Sequence, residues 1–152
     1  MSGIHNILVA TDFSPASQAA LETATEMARR FGARLTLFHA HQVPSYVYPD
    51  GMMPVAPELM MDLERSVVAE LSRLAFAIPD VDVEIHHALG APATEICRAA
   101  DELDADLIVL GTHGRTGLRH AILGSVAEKV VRHSKRPVLT IHPGEHPLEA
   151  TK

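Results

Sequence analysis

Residues 106–128 read DLIVLGTHGRTGLRHAILGSVAE. The apolar run at 107–110, closed by glycine, predicts a buried strand. Glycine then recurs at positions 111, 114, 117 and 124, and an apolar pattern with helical spacing starts directly afterwards. We therefore predict a strand, a glycine-rich loop and a helix in succession.

This succession is typical of sites that bring backbone N–H groups to a phosphate. Ser125 and Glu128 match the capping box S-x-x-E, which would place the positive end of the helix dipole at Ser125. Arg115, Arg119 and His120 add positive charge to the loop. The alternative is a structural turn in which Ser125 only caps the helix, because the spacing fits neither the P-loop nor G-x-G-x-x-G.

Two separated motifs resemble the universal stress protein family. Gly111-x-x-Gly114, nine intervening residues and Gly124-Ser125 resemble its ATP-binding signature, G-x2-G-x9-G-S/T. Residues 7–17, ILVATDFSPAS, resemble the opening strand and D-x-S turn of the family, and residues 136–141, RPVLTI, resemble its closing strand. The resemblance extends over residues 4–141, which is nearly the whole chain.

The resemblance implies an ATP site, with Mg²⁺ held mainly by the ATP phosphates. The positions that match the family's binding residues are Ala10, Thr11, Asp12, Ala40, Gly111, His113, Gly114, Arg115, Gly124, Ser125 and Val126. Asp12 would lie near the ribose or the polar groups beside the adenine, and Ala40 would touch the adenine through its backbone. Ala127 stands where the family often has serine or threonine, so one phosphate contact is expected to be missing.

The same residues also have simpler interpretations. Asp12 fits a turn or cap residue, and His113 fits a solvated loop histidine. His39 and His41, two residues apart, could share one strand face and bind a metal, whereas the adjacent His86 and His87 would point to opposite faces. Since no Cys-x-x-Cys, H-E-x-x-H or grouped carboxylates accompany them, we predict no dedicated metal site.

The composition limits the classes to which the protein can belong. The chain has 152 residues, of which 47% are hydrophobic, and it lacks tryptophan, so we expect one domain with an aliphatic core. A formal net charge of −6 argues against a general nucleic-acid binder. The single cysteine, Cys97, predicts a buried helix position rather than a reactive thiol. Without a signal-peptide pattern or an apolar run of about 20 residues, we expect a cytoplasmic protein with no membrane partner.

Strands and helices alternate along the chain. The predicted strands cover residues 4–10, 34–40, 81–87, 107–110 and 137–141, and the predicted helices cover 15–30, 57–77, 92–103 and 125–133. Alternation predicts an α/β three-layer sandwich with a parallel sheet and a ligand site at the carboxyl ends of its strands. The family resemblance implies five strands in the order 3-2-1-4-5, a Rossmann-like fold of the adenine nucleotide alpha hydrolase type.

Three segments are assigned from their local patterns. The alternating strand at 81–87 is expected at a sheet edge. Residues 41–58, with four prolines, are expected to form a loop that covers a ligand or a partner, or packs on the domain as a hydrophobic flap. Residues 1–142 are expected to form a single domain, and residues 143–152 a flexible tail.

The leading hypothesis is an ATP-binding universal stress protein that acts as a nucleotide-dependent regulatory module in the stress response. The family resemblance also implies a homodimer formed through the last strand, with further protein partners unidentified. Nothing in the sequence singles out a general base or an arginine finger, so at most weak ATP hydrolysis is expected. The two rival hypotheses are a slow ATPase or nucleotidyl-transfer enzyme at the same site and a nucleotide-free dimeric interaction module.

Overall fold

The computed structural model describes residues 3–42, 47–48, 51–52, 55–113 and 123–143. In this part of the chain no helix combines the length and the apolar character that a membrane crossing requires. In chain order the elements are β1 (Asn6–Ala10), α1 (Pro15–Phe31), β2 (Arg34–His41), β3 (Val47–Tyr48), β4 (Gly51–Met52), α2 (Pro57–Phe76), β5 (Val83–Leu89), α3 (Pro92–Glu102), β6 (Leu107–Gly111), α4 (Ser125–His133) and β7 (Val138–Ile141).

The five longer strands form one sheet in the order β5-β2-β1-β6-β7, and each pair is parallel. Ile7 in β1 lies opposite Leu35 on one side and Leu107 on the other. This confirms the predicted α/β fold and the strand order 3-2-1-4-5. It also confirms the edge position of the alternating strand, although β5 begins and ends two residues later than predicted.

Two hydrophobic clusters cover the two faces of the sheet, which gives the three layers. On one face, Val9 and Leu37 of the sheet are buried against α1 and α2, together with Leu71 of α2. The opposite face buries Leu8 and Ile108, and α3 and α4 lie against it. Neighbouring strand residues such as Leu8 and Val9 are both buried because helices cover both faces, which explains the unbroken apolar runs of the central strands.

Helix α1 begins and ends where its sequence signals predict. The Ser14 side chain accepts a hydrogen bond from the N–H of Ser17, and Pro15 follows in the first helical turn. Gly32 ends the helix in the left-handed region, with φ 65°. An alanine stripe, Ala16, Ala20, Ala24 and Ala28, is buried against the sheet. These small side chains allow α1 to pack closely over β1 and β6.

The segment at 41–58 was predicted as a loop, and the structure adds a short antiparallel pair. β3 and β4 pair Val47 with Met52 and Tyr48 with Gly51. In the sequence, Pro49 and Asp50 between the strands and Gly51 at the start of β4 are residue types that favour turns, and Val47 and Tyr48 favour strands, which fits an antiparallel pair at this point. Residues 43–46, 49–50 and 53–54 of the predicted loop lie outside the described residues.

Candidate functional site

The carboxyl ends of the sheet strands open into a cleft of about 910 Å³. The cleft lies where the strand order reverses. From β1 the chain proceeds through α1 toward β2, and from β6 it proceeds through α4 in the opposite direction, toward β7. Ligands of open α/β sheets bind at such a switch point. The volume is also in the range of small-molecule sites, about 300–1,000 Å³.

Most of the predicted site residues line this one cleft. The predicted residues that line it are Ala10, Thr11, Asp12, Ala40, Gly111, His113, Gly124, Ser125 and Val126. Gly114 and Arg115 lie outside the described residues. Residues more than 100 positions apart in the chain, such as Ala10 and Gly124, therefore share the walls of one cavity.

The wall after β1 is a tightly bonded turn. Thr11 is buried, donates its N–H to the carbonyl of Phe38 at 2.9 Å and accepts at Oγ1 from the N–H of Phe13 at 3.0 Å. Asp12 Oδ1 accepts from the N–H of Ser14 at 3.0 Å. Asp12 is thus a turn residue, and it also lines the cleft. Phe13 has φ 63°, a left-handed conformation that costs a residue with a Cβ about 1–3 kcal/mol.

Helix α4, which begins the opposite wall of the cleft, is not capped as predicted. Gly124, with φ −68° and ψ 161°, occupies the N-cap, so Ser125 is the first helical residue. Glu128 then falls at the fourth helical position instead of the third, and its carboxylate pairs with Arg132 at 2.7 Å. The capping-box prediction is therefore wrong. Among the described residues no side-chain cap bonds to α4, and its first residues, Ser125, Val126 and Ala127, line the cleft. The N–H groups of a first helical turn have no acceptors within the helix.

Gly111 has a packing role that the sequence did not indicate. A Cβ at this position would lie 2.8 Å from the carbonyl oxygen of Ala16 and 2.9 Å from its carbonyl carbon. Because both contacts are to helix backbone, no side-chain rotation could relieve them. The glycine therefore allows the first turns of α1 to approach the end of β6, whether or not a ligand also approaches it.

Thr112 is a cleft residue that sequence reasoning missed, and His142 is a missed residue that contacts it. Thr112 is buried and lines the cleft, and its Oγ1 lies 2.9 Å from Nδ1 of His113 and 3.1 Å from Nδ1 of His142. The two imidazole rings meet edge to face, with centroids 5.1 Å apart. The one available signal was position, since Thr112 directly follows β6 and His142 directly follows β7.

Histidines form the cleft wall at the end of β2. His39 Nδ1 donates to the carbonyl of Thr11 at 2.7 Å, and its ring lies against Phe13 and then His41, with centroids 4.6 Å and 6.0 Å away. His87 from β5 continues the row at 5.7 Å from His41. His39 and His41 do share a strand face, as predicted. Within the described ranges, however, no three His, Cys, Asp or Glu side chains are placed to hold a metal.

The surroundings of two partly buried ionisable groups shift their pKa values toward the neutral forms. Burial lowers the pKa of His41, and the neighbouring His39 and His87 lower it further, against a smaller opposing effect of Glu64. Burial also raises the pKa of the Cys97 thiol. Cys97 is half-buried in α3 and packs against the cluster under α3 and α4, in keeping with a helix position that faces the core. A raised pKa disfavours the reactive thiolate.

Comparisons with known proteins agree with this architecture. Residues 3–142 match the model of the universal stress protein family. Universal stress protein MJ0531 of Methanocaldococcus jannaschii is 33% identical over 139 residues, which span 89% of this chain and 80% of that protein. The structure of universal stress protein UspA from Lactobacillus plantarum superposes with a TM-score of 0.76 at 28% identity, and covers 93% of this chain and 99% of its own.

A further solved structure carries a ligand. It is a universal stress protein in complex with cAMP, 29% identical to this chain, with a TM-score of 0.67 and coverage of 93% of this chain and 99% of its own. The family match spans almost every described element, from β1 to β7. The chain belongs to the universal stress protein family, a family of stress-response proteins.

Proposed function

We propose that this protein binds ATP in the cleft at the carboxyl ends of β1 and β6 and acts as a nucleotide-dependent regulatory module of the stress response. The observation that carries the proposal is the uncapped N-terminus of α4, which borders the cleft beside Gly111 and His113. Free N–H groups and the positive end of a helix dipole favour a bound phosphate. The motif G-x2-G-x9-G-S/T supports ATP as the nucleotide, and the related complex with cAMP supports an adenine nucleotide in general.

The remaining groups of the cleft fit the rest of the nucleotide. Ala40 and Phe38 form an apolar part of the cleft wall, against which an adenine ring would fit. Asp12 provides a carboxylate for the ribose hydroxyls. Ser125 is exposed as the first residue of α4, so its hydroxyl is placed for a phosphate oxygen. Mg²⁺ would be held mainly by the phosphates, because it retains several waters and binds few protein ligands in nucleotide sites.

The proposal includes a cytoplasmic homodimer and one domain over residues 1–142. β7 lies at the end of the sheet and pairs with β6 on one side, so the N–H and C=O groups of its other side are available for a second strand. Val138, Leu139 and Thr140 are half-buried, which leaves part of each side chain for an interface. A symmetric pairing of two β7 edges would give a closed dimer.

The test is calorimetric titration of nucleotide-stripped protein with ATP and Mg²⁺, with GTP and AMP as comparison ligands. We expect a dissociation constant near the micromolar range, about −8 kcal/mol, and much weaker binding of AMP. In Gly124→Val the valine would fill the space that a phosphate needs, while the extended backbone of this residue accepts a side chain. We expect an affinity loss of at least about a hundredfold, or about 2.7 kcal/mol.

Gly3→Val is the matched control, because a Cβ at Gly3 makes only ordinary contacts, at 3.5 Å, with the His5 ring. Thermal unfolding of both variants should stay close to that of the original chain. ATP binding that survives in Gly124→Val would place the site elsewhere. If the original chain binds no nucleotide, the nucleotide-free interaction module replaces this proposal.

A further inference from the structure

Thr112 joins three parts of the candidate site. Its N–H donates to the carbonyl of Ile141, the last residue of β7, at 2.9 Å, and its own carbonyl accepts from the N–H of Gly124. Its hydroxyl contacts His113 on one side and His142 on the other. The side chain is buried, at 6% exposure, so water does not compete freely for the hydroxyl. The strand ends of β6 and β7 and the start of α4 are therefore connected through this one residue.

The hydroxyl contacts constrain the protons on both histidines. A threonine hydroxyl has one hydrogen and two lone pairs, so it can donate to at most one of the two Nδ1 atoms. When it donates to one ring, it accepts from Nδ1–H of the other. The hydrogen bond made at one ring nitrogen determines which nitrogen is protonated. In that arrangement the neutral imidazoles of His113 and His142 hold opposite tautomers, one protonated on Nδ1 and the other on Nε2, coupled through Thr112.

We propose that His142 and Thr112 are positioning residues that hold His113 in the tautomer with its proton on Nε2, so that His113 donates a hydrogen bond to an anionic group of the ligand. In this arrangement His142 Nδ1–H donates to Thr112 Oγ1, and the Thr112 hydroxyl donates to His113 Nδ1. The reverse arrangement would direct a lone pair of His113 toward the anion, which is repulsive. The inference rests on the proposed function, since it requires phosphates in the cleft that His113 lines.

The experiment compares pairs of variants that keep or remove each link. Thr112→Ser and His142→Asn retain a hydroxyl and an amide N–H near the original atoms, whereas Thr112→Val and His142→Phe remove them. We expect ATP affinity to fall about tenfold in each removing variant, the loss of one hydrogen bond to a charged group. The two conservative variants should restore most of the affinity. His133→Asn, at an exposed histidine on α4, is the matched control and should bind as the original chain does.

Long-range ¹H–¹⁵N spectra of the imidazole rings supply a measurement that a structural role alone would not change. In the ATP complex we expect His113 protonated on Nε2 and His142 on Nδ1, and we expect this assignment to be lost in Thr112→Val. The same tautomer on both rings, or unchanged affinity in both His142→Phe and Thr112→Val, overturns the inference. If the original chain binds no ATP, the proposed function fails and the positioning role fails with it, whereas binding without the tautomer pair refutes the positioning role alone.

Discussion

The two ends of the sheet are built differently. At the amino ends of the strands, polar groups are paired with one another. Asp106 accepts the N–H groups of His5 and Asn6 at 2.8 and 2.9 Å, and Arg29 binds Asp80 through two bonds, at 2.6 and 3.0 Å. Such contacts fasten strand starts and helix ends that are distant in the sequence, so this end of the molecule serves the fold.

At the carboxyl ends, polar groups are left available. α4 begins without a side-chain cap, and Phe13 holds a left-handed backbone conformation. Among the described residues, the buried side-chain nitrogen without a hydrogen-bond partner is Nδ1 of His41, also at this end. Unsatisfied and strained groups reduce stability and are retained where a ligand can use them. On the proposed function, stability and nucleotide binding are therefore assigned to opposite ends of the same strands.

The largest effect on stability is expected at the carboxyl end of the sheet, from Gly111→Ala. The added methyl would lie within 3 Å of the Ala16 backbone, so α1 or β6 must shift. Overpacking of this kind costs about 1–3 kcal/mol, and we expect about 2 kcal/mol in urea unfolding. Gly3→Ala is the control, because the space around Gly3 is ordinary. An unchanged unfolding midpoint would mean that the carboxyl end tolerates packing changes, and the comparison would then need revision.

A smaller loss is expected at the amino end, from Asp106→Asn. Two backbone N–H donors hold the pKa of Asp106 below its ordinary value, because they stabilise the charged form. The amide oxygen of asparagine accepts more weakly, so we expect a loss of about 1 kcal/mol at pH 7. The stabilisation by Asp106 is present above its unfolded pKa, about 3.9, and is lost as the pH falls through the lower folded pKa.

The difference between the original chain and Asp106→Asn should therefore shrink in urea unfolding as the pH falls from 7 toward 3. Asp62→Asn is a matched control, since Asp62 is exposed and its ion pair among the described residues is a surface pair with Arg65 at 3.5 Å. It removes the same charge without losing an acceptor of two backbone N–H groups. A constant difference at all pH values would show that Asp106 acts through shape and not through its charge.

The smallest effect concerns the pH dependence at the binding end. Burial lowers the folded pKa of His41, so the folded protein resists a proton that the unfolded chain accepts. Stability should therefore fall as the pH drops below the unfolded value, about 6.5. The charged and titratable groups around His41 are His39 on the same strand, His87 on β5 and Glu64 on α2.

His41→Phe removes this titration and keeps a ring beside His39 and His87. We expect the free energy of unfolding to decline less between pH 7.5 and 5.5 in the variant than in the original chain. Gln42→Ala, at the exposed neighbouring residue, should leave the decline unchanged. Equal slopes in His41→Phe and the original chain would assign the acid sensitivity to other groups.

Much of the fold was predictable because its signals are local. The apolar run Leu107–Leu110 and the glycine after it identify β6, and Ser14-Pro15 and Gly32 give the two ends of α1. These features depend on residues within one turn or one strand. The family resemblance then provided the strand order, which local patterns alone do not determine.

The missed details depend on contacts between distant residues. Gly124 and Ser125 are both acceptable caps, and Gly124 takes the position because its N–H bonds to the carbonyl of Thr112, twelve residues earlier. The packing role of Gly111 requires α1 to lie over β6. Thr112 and His142 meet only after β6 and β7 pair. Each of these contacts forms only in the assembled sheet, so no local sequence pattern indicates it.

The alanine stripe of α1 has a consequence for motion. At the positions of this stripe α1 packs through methyl groups, which cannot adopt new rotamers, and close-packed contacts of this kind resist small displacements. We therefore expect α1 to move together with the strands β1 and β6 beneath it. Any closure of the cleft over a guest molecule is then expected from another element of its walls, α2, whose buried side chains Val67, Leu71 and Leu74 are larger.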